Sequence, residues 1–231
     1  VSLLDCFLTA DAAHVFTDGV LLNSQDNTIA GFASKVQPLA PYQAVVSVVG
    51  HGWITQLLAS MVTEQAFDDF DALAADFARL VQDLIDRAAR LPGLPPMDKF
   101  VAGLAGWSAQ ADAPAFVSVA SFQRPEAVAF EPVRSTRFLQ PAQTHAHDRS
   151  ILDLKFNPAD PEGSGLAIVR AQRAQRFTAW HDSKPCYGVG GFCQHTIVSR
   201  DAITMRVLER WPEDRIGAKI MPGAAPVSII G

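Results

Sequence analysis

Apolar residues recur along this chain with two different periods, and each change of period marks a change of element. Residues 3–9 form a short apolar run, Asp11 to Ala13 read as a turn, and His14 to Leu22 form a second apolar run. Together they predict a β-hairpin, with Asp18-Gly19 as a second turn or a bulge. Thr28 to Leu39 reads as a further extended segment. Val45 to Val49 is a β-branched run ending at Gly50, the signature of a buried strand. The period then lengthens. Trp53, Leu57, Leu58, Met61 and Val62 fall on one helical face, and so do Leu73, Phe77, Leu80, Val81, Leu84, Ile85 and Ala88. Residues 51–91 are therefore expected to be a helical pair, with Asp68 and Asp69 favouring the start of the second helix and Pro92-Gly93 ending it.

Strand-like runs resume over 100–107, 115–122 and 127–133. Residues 134–160 read as irregular and polar. Residues 166–177 carry a partial helical stripe, with Arg170, Arg173 and Arg176 outside it on what reads as a solvated face. A glycine turn over 188–191 precedes two last strands, 192–199 and 202–210, and a Pro- and Gly-rich tail over about 218–231 reads as a surface strap. The order is strands, two helices, strands, one helix, strands. Without βαβ alternation or a G-x-G-x-x-G turn after a strand, a Rossmann-type sheet is not expected. A layered α+β domain of mainly antiparallel sheets fits, as one domain over 1–231.

Composition narrows the class. Of 231 residues, 48% are hydrophobic and 19% charged, so the chain can bury a core. Nineteen basic against twenty-four acidic residues leave a net charge of −5, which offers nucleic acid no electrostatic footprint. No apolar stretch is long enough for a membrane helix. Three cysteines cannot build a disulfide framework and fit a reducing compartment. The opening Val1 to Asp5 has neither a basic n-region nor a small-residue cleavage motif. A cytoplasmic protein without cofactor is the expectation.

Four local features carry a resemblance to a known family. They are the opening hairpin through Asp18-Gly19, the segment Ala33 to Val36 with Lys35, and the strand Val45 to Gly52 leading into a helix. The fourth is Val169 to Arg173 followed by Gly190 to Gln194. In their order they resemble the N-terminal-nucleophile hydrolases, and among these the proteasome-like subunits. The resemblance implies a four-layer αββα sandwich, two antiparallel sheets between helix layers. The family spaces an acidic residue and then a lysine after its nucleophile at intervals that Ser2, Asp18 and Lys35 match to within one position.

The chemistry so implied is amide hydrolysis. A serine hydroxyl needs a base, and a free α-amine with a pKa near ~7.7–8.0 can take its proton. The resemblance makes Ser2 the nucleophile, Lys35 the cation that lowers the hydroxyl's pKa, and Asp18 the partner that orients the lysine. A backbone N–H near Gly50, His51 and Gly52, at a helix start, is the expected oxyanion donor. Val1 precedes Ser2, so this chemistry requires its removal. Many relatives of this fold are non-catalytic, and a structural subunit of a homo-oligomer is the alternative to a peptidase or amidase acting on a peptide or amide substrate. An α+β binding domain is a third reading.

Asp18 also reads simply as a turn residue and Lys35 as an exposed strand lysine. Cys6 reads as a buried, inert thiol. His181, Cys186, Cys193 and His195 cluster in sequence but match no zinc spacing, although Cys193 and His195 share one face of a strand. His145, His147 and Asp148 lie in a polar loop, where solvated histidines are expected. Trp53, Trp107, Trp180 and Trp211 read as core or interface anchors.

Overall fold

The computed structural model describes residues 2–94, 99–124, 127–140, 154–178 and 185–223. They form a mixed α+β fold with antiparallel sheets. The opening hairpin pairs β1 (Leu4–Leu8) with β2 (Ala12–Asp18) through a tight turn in which the Thr9 N–H donates to Ala12 O at 2.9 Å. The sheet is completed by β10 (Arg137–Gln140) on β1, β13 (Phe192–Ser199) on β2, and β14 (Ile203–Arg210) on β13. A second five-stranded sheet runs β5 (Val36–Leu39), β6 (Ala44–Val49), β7 (Val101–Ser108), β8 (Ala113–Ala120) and β9 (Val133–Arg134). A short hairpin joins β3 (Val20–Leu22) to β4 (Ile29–Phe32), and β11 (Phe177–Thr178) pairs with β12 (Pro185–Cys186).

The helical pair predicted over 51–91 is α1 (Gly52–Gln65) and α2 (Phe70–Ala89). Asp69 caps α2 by accepting from the Ala72 N–H at 2.8 Å, which satisfies one of the orphan donors of the first turn. The stripe of α2, with Phe77, Leu80, Val81 and Leu84, packs with α1 against β6, β7 and β8 through Val46, Val48, Leu104 and Val117. A second apolar cluster joins the two sheets: Leu4, Cys6, Val15 and Val198 from the first meet Val45, Val49, Val101 and Phe116 from the second. A third lies on the opposite face of the first sheet. There Leu3, Phe7, Phe16 and Cys193 meet Ile168 and Val169 of α3 (Pro161–Arg173).

Four expectations are corrected. The helix placed at 166–177 is α3, which begins five residues earlier. Asp160 caps it by accepting from the Gly163 N–H at 3.0 Å, and Pro161 supplies a preset first position. Gly163 and Gly165 serve as clearances. A Cβ on Gly163 would lie 2.2 Å from the capping carboxylate, and one on Gly165 2.1 Å from the Phe16 ring. Over 127–133 only Val133 enters a strand, because Phe130 takes a left-handed backbone (φ 62°). The stretch 134–160, expected to be irregular, contains β10. The extended segment 28–39 is two strands in different sheets.

The tail is described over 218–223. Ala218 O accepts from the Ile29 N–H at 2.8 Å, and Ile220 is buried with Val20 and Ile29, so this part straps the β3–β4 hairpin. No helix among the described residues is long and apolar enough to cross a membrane.

Candidate active site

The first sheet ends abruptly at Asp18. Gly19 follows, and a Cβ there would sit 2.1 Å from the Phe192 ring, so only glycine lets the chain turn out of β2 at this point. The Gly19 N–H donates to Phe192 O at 2.9 Å and Gly190 O at 3.1 Å, and Gly19 O accepts from the Ala33 N–H at 2.9 Å. That last bond carries the end of β4 past Asp18. Ser34 then bonds through its hydroxyl to both the N–H and the carbonyl of Val36, and the turn it makes sends Lys35 inward while Ser34 stays outside.

Lys35 Nζ lies 2.5 Å from Asp18 Oδ1. Lys35 is 6% exposed and Asp18 fully buried, so this is a desolvated ion pair and not the surface lysine or plain turn residue that each could have been. Burial pushes Lys35 below the ordinary lysine range, and the Asp18 carboxylate pulls it back up. Asp18 Oδ1 also accepts from the Leu3 N–H at 2.8 Å. Its Oδ2 accepts from the N–H groups of Gly190 at 3.2 Å and Val20 at 3.3 Å. Four donors from four parts of the chain thus converge on one carboxylate, which is how a buried charge is tolerated.

The structure therefore brings together three predicted points: Asp18, Lys35 and the start of β1, where Ser2 is joined to Leu3. Ser2 is itself buried, at 9% exposure; Val1 lies outside the described residues. Gly50, His51 and Gly52 stand where β6 ends and α1 begins. His51 is the helix N-cap but makes no side-chain capping bond. Gly50 packs on Phe100 and Gly52 on Leu21 of β3, where Cβ atoms would come within 2.8 and 3.0 Å. The turn is thereby tied to the strand that leaves Asp18.

Other candidates lie elsewhere or act differently. Cys6 is in the cluster between the sheets, and burial drives its thiol far above the ordinary range. Cys193 faces α3 and is pushed up to about 12, chiefly by burial, so both thiols are inert at neutral pH. His195 stacks on Phe16 at 4.3 Å on that same face, and its Nε2 lies 3.1 Å from His14 Nδ1. Burial, and then His14, lower His195 to about 3, so it is neutral at neutral pH. No group of three or more metal-ligating side chains occurs among the described residues. His145, His147, Asp148, Trp180 and His181 lie outside them.

Sequence reasoning missed four groups near the site. The Gly190 and Val20 N–H donors are backbone groups, for which the only signal was the glycine pair 190–191. Asp5 is fully buried on β1, accepting from Gln172 Nε2 at 3.0 Å and the Gln140 N–H at 3.1 Å. Burial, opposed by these bonds and by Arg137, raises it to about 7. Arg173, expected on a solvated face, is instead a buried side chain bonded to Asp214.

No family model matches the chain, and a search of curated proteins likewise returns no match.

Proposed function

We propose that this protein is an N-terminal-nucleophile amide hydrolase of the proteasome-like type, a peptidase or amidase whose nucleophile is Ser2. The observation that carries the reading is the buried Lys35–Asp18 pair with the Leu3 N–H on the same carboxylate oxygen. Two residues matched by spacing alone meet in space beside the predicted nucleophile. The three apolar clusters support the fold half of the reading: helices α1 and α2, the second sheet, the first sheet and α3 stack as the four layers of an αββα sandwich.

In this reading Ser2 Oγ attacks the amide carbonyl and its proton passes to the Ser2 α-amine, which later protonates the departing nitrogen. The lysine ammonium, desolvated and close by, favours the alkoxide. Asp18 keeps that ammonium charged against the pull of burial. A backbone N–H at the start of α1 receives the carbonyl oxygen as it becomes an anion. The reaction needs a free amine on Ser2, so the Val1–Ser2 bond must be cut first.

The test is an intact-mass measurement on protein from its natural source, followed by reaction with an electrophile that acylates serine. The expected result is a mature chain starting at Ser2, labelled once at that residue, with labelling lost in Lys35→Ala. A chain that keeps Val1 and takes no label would overturn the hydrolase reading and leave a non-catalytic subunit of a homo-oligomer.

A further inference from the structure

Asp18 is not held by its own element alone. Its Oδ2 depends on the Gly190 N–H, and the turn carrying that N–H is built by a second buried carboxylate, Asp214. Asp214 Oδ2 accepts from the Gly191 N–H at 2.6 Å. Arg173 clasps Asp214 with both terminal nitrogens, at 2.9 and 3.0 Å, and also donates to Val189 O at 2.9 Å. Glu213 accepts from the same guanidinium at 2.8 Å, and the indole of Trp211 lies 4.4 Å beneath it. Two successive peptide groups of the turn are thus pinned: the Val189–Gly190 peptide turns its O to Arg173 and its N–H to Asp18, and the Gly190–Gly191 peptide turns its N–H to Asp214.

The turn accepts no ordinary residues. A Cβ on Gly190 would lie 2.7 Å from Asp214 Oδ2, and Gly191 has φ +77°, a left-handed backbone that favours glycine. We infer that Asp214, clasped by Arg173, is a positioning residue for the site. It fixes the 189–191 turn so that the Gly190 N–H occupies Asp18 Oδ2 and leaves Oδ1 to Lys35 and the start of β1. The chemical purpose of this positioning rests on the hydrolase reading above; its geometry does not.

Two effects of Asp214→Asn on Lys35 have opposite signs, which makes the role testable. Losing a nearby negative charge alone lowers the Lys35 pKa. Releasing the Gly190 N–H from Asp18 leaves that carboxylate a stronger acceptor for the ammonium and raises it. The full chain is made with isotope-labelled glycine and lysine, and Glu209→Gln, which removes a partly buried carboxylate paired with Arg170, serves as the charge control. In Asp214→Asn the Gly190 amide is expected to exchange about tenfold faster than in the parent, with Lys35 titrating at higher pH than in the control. An unchanged Gly190 exchange rate, or a Lys35 midpoint no higher than in the control, would overturn the inference. If Asp214→Asn does not fold, Arg173→Lys is read by the same two measurements, since a lysine has a single nitrogen and lacks the planar fork that sets one nitrogen on each Asp214 oxygen. A parent chain without Ser2 reactivity sinks the hydrolase reading but leaves these two readouts to decide this one.

Discussion

Lys35 and Asp18 show how much a single residue's meaning depends on its partner. Either side chain alone, buried as it is, would be a cost. Together, with three backbone donors on the carboxylate, they are a satisfied pair. Lys35→Met strands the Asp18 charge and is expected to cost ~3–5 kcal/mol. Adding Asp18→Asn removes the stranded charge, so the double variant should be destabilised by less than the sum of the two single changes. Urea unfolding of the four proteins measures this, and strictly additive losses would mean that the two groups do not interact. Of this pair, the residue types and spacing were legible in the sequence. Their burial was not, because Ser34 and the Gly19–Ala33 bond, and no local preference of lysine, turn Lys35 inward.

At the scale of elements, helix α3 carries the clearest lesson. Asp160-Pro161, a cap followed by a proline at the first helical position, marks its start, while the apolar stripe that placed the helix begins only at Leu166, after two glycines. Their reason lies in contacts the helix itself does not contain. Gly165 lets α3 settle on the Phe16 ring, so Gly165→Ala is expected to lower stability by ~1–3 kcal/mol through overpacking. Gly31 in β4, with nothing near its missing Cβ, is the control, and Gly31→Ala should stay within about 0.5 kcal/mol of the parent in the same thermal melts. Equal shifts for the two would show that α3 does not rest on Phe16. By contrast α1 and α2 were readable almost to the residue, since their apolar stripes are long and period alone places them. Strand β10 is only four residues, too short to show a period, and exists because β1 offers it an edge.

Across the whole molecule, two buried titrating groups oppose each other. Asp5 is raised to about 7 in the folded chain from ~3.9 in the unfolded one, so its contribution is full below ~3.9 and lost as pH rises through about 7. His195 is lowered to about 3 from ~6.5, so stability is lost as pH falls below ~6.5. Each limits the slope to about 1.4 kcal/mol per pH unit. Asp5→Asn should therefore be more stable than the parent at pH ~8 and should show only the acid loss between ~6.5 and ~4. Urea midpoints across that range check it. A parent and variant with parallel profiles would mean that Asp5 stays ionised throughout.

What the sequence by itself determined is what short-range physics controls. Periodicity placed the long strands and the α1–α2 pair, and helix-capping chemistry and prolines marked ends. It also placed Ser2, Asp18 and Lys35 at suggestive intervals. What only the tertiary structure decided is which polar groups are buried and which donors meet them. Arg170, Arg173 and Arg176 recur every third residue, yet of the three Arg173 alone is drawn into the interior, because Asp214, forty-one residues away in the chain, waits there with Val189 O. A buried charge is stable only beside its partner, and partners from the start of β1, the β4–β5 turn, the 189–191 turn and α3 reach Asp18 and Asp214 only after the sheets have paired and closed water out.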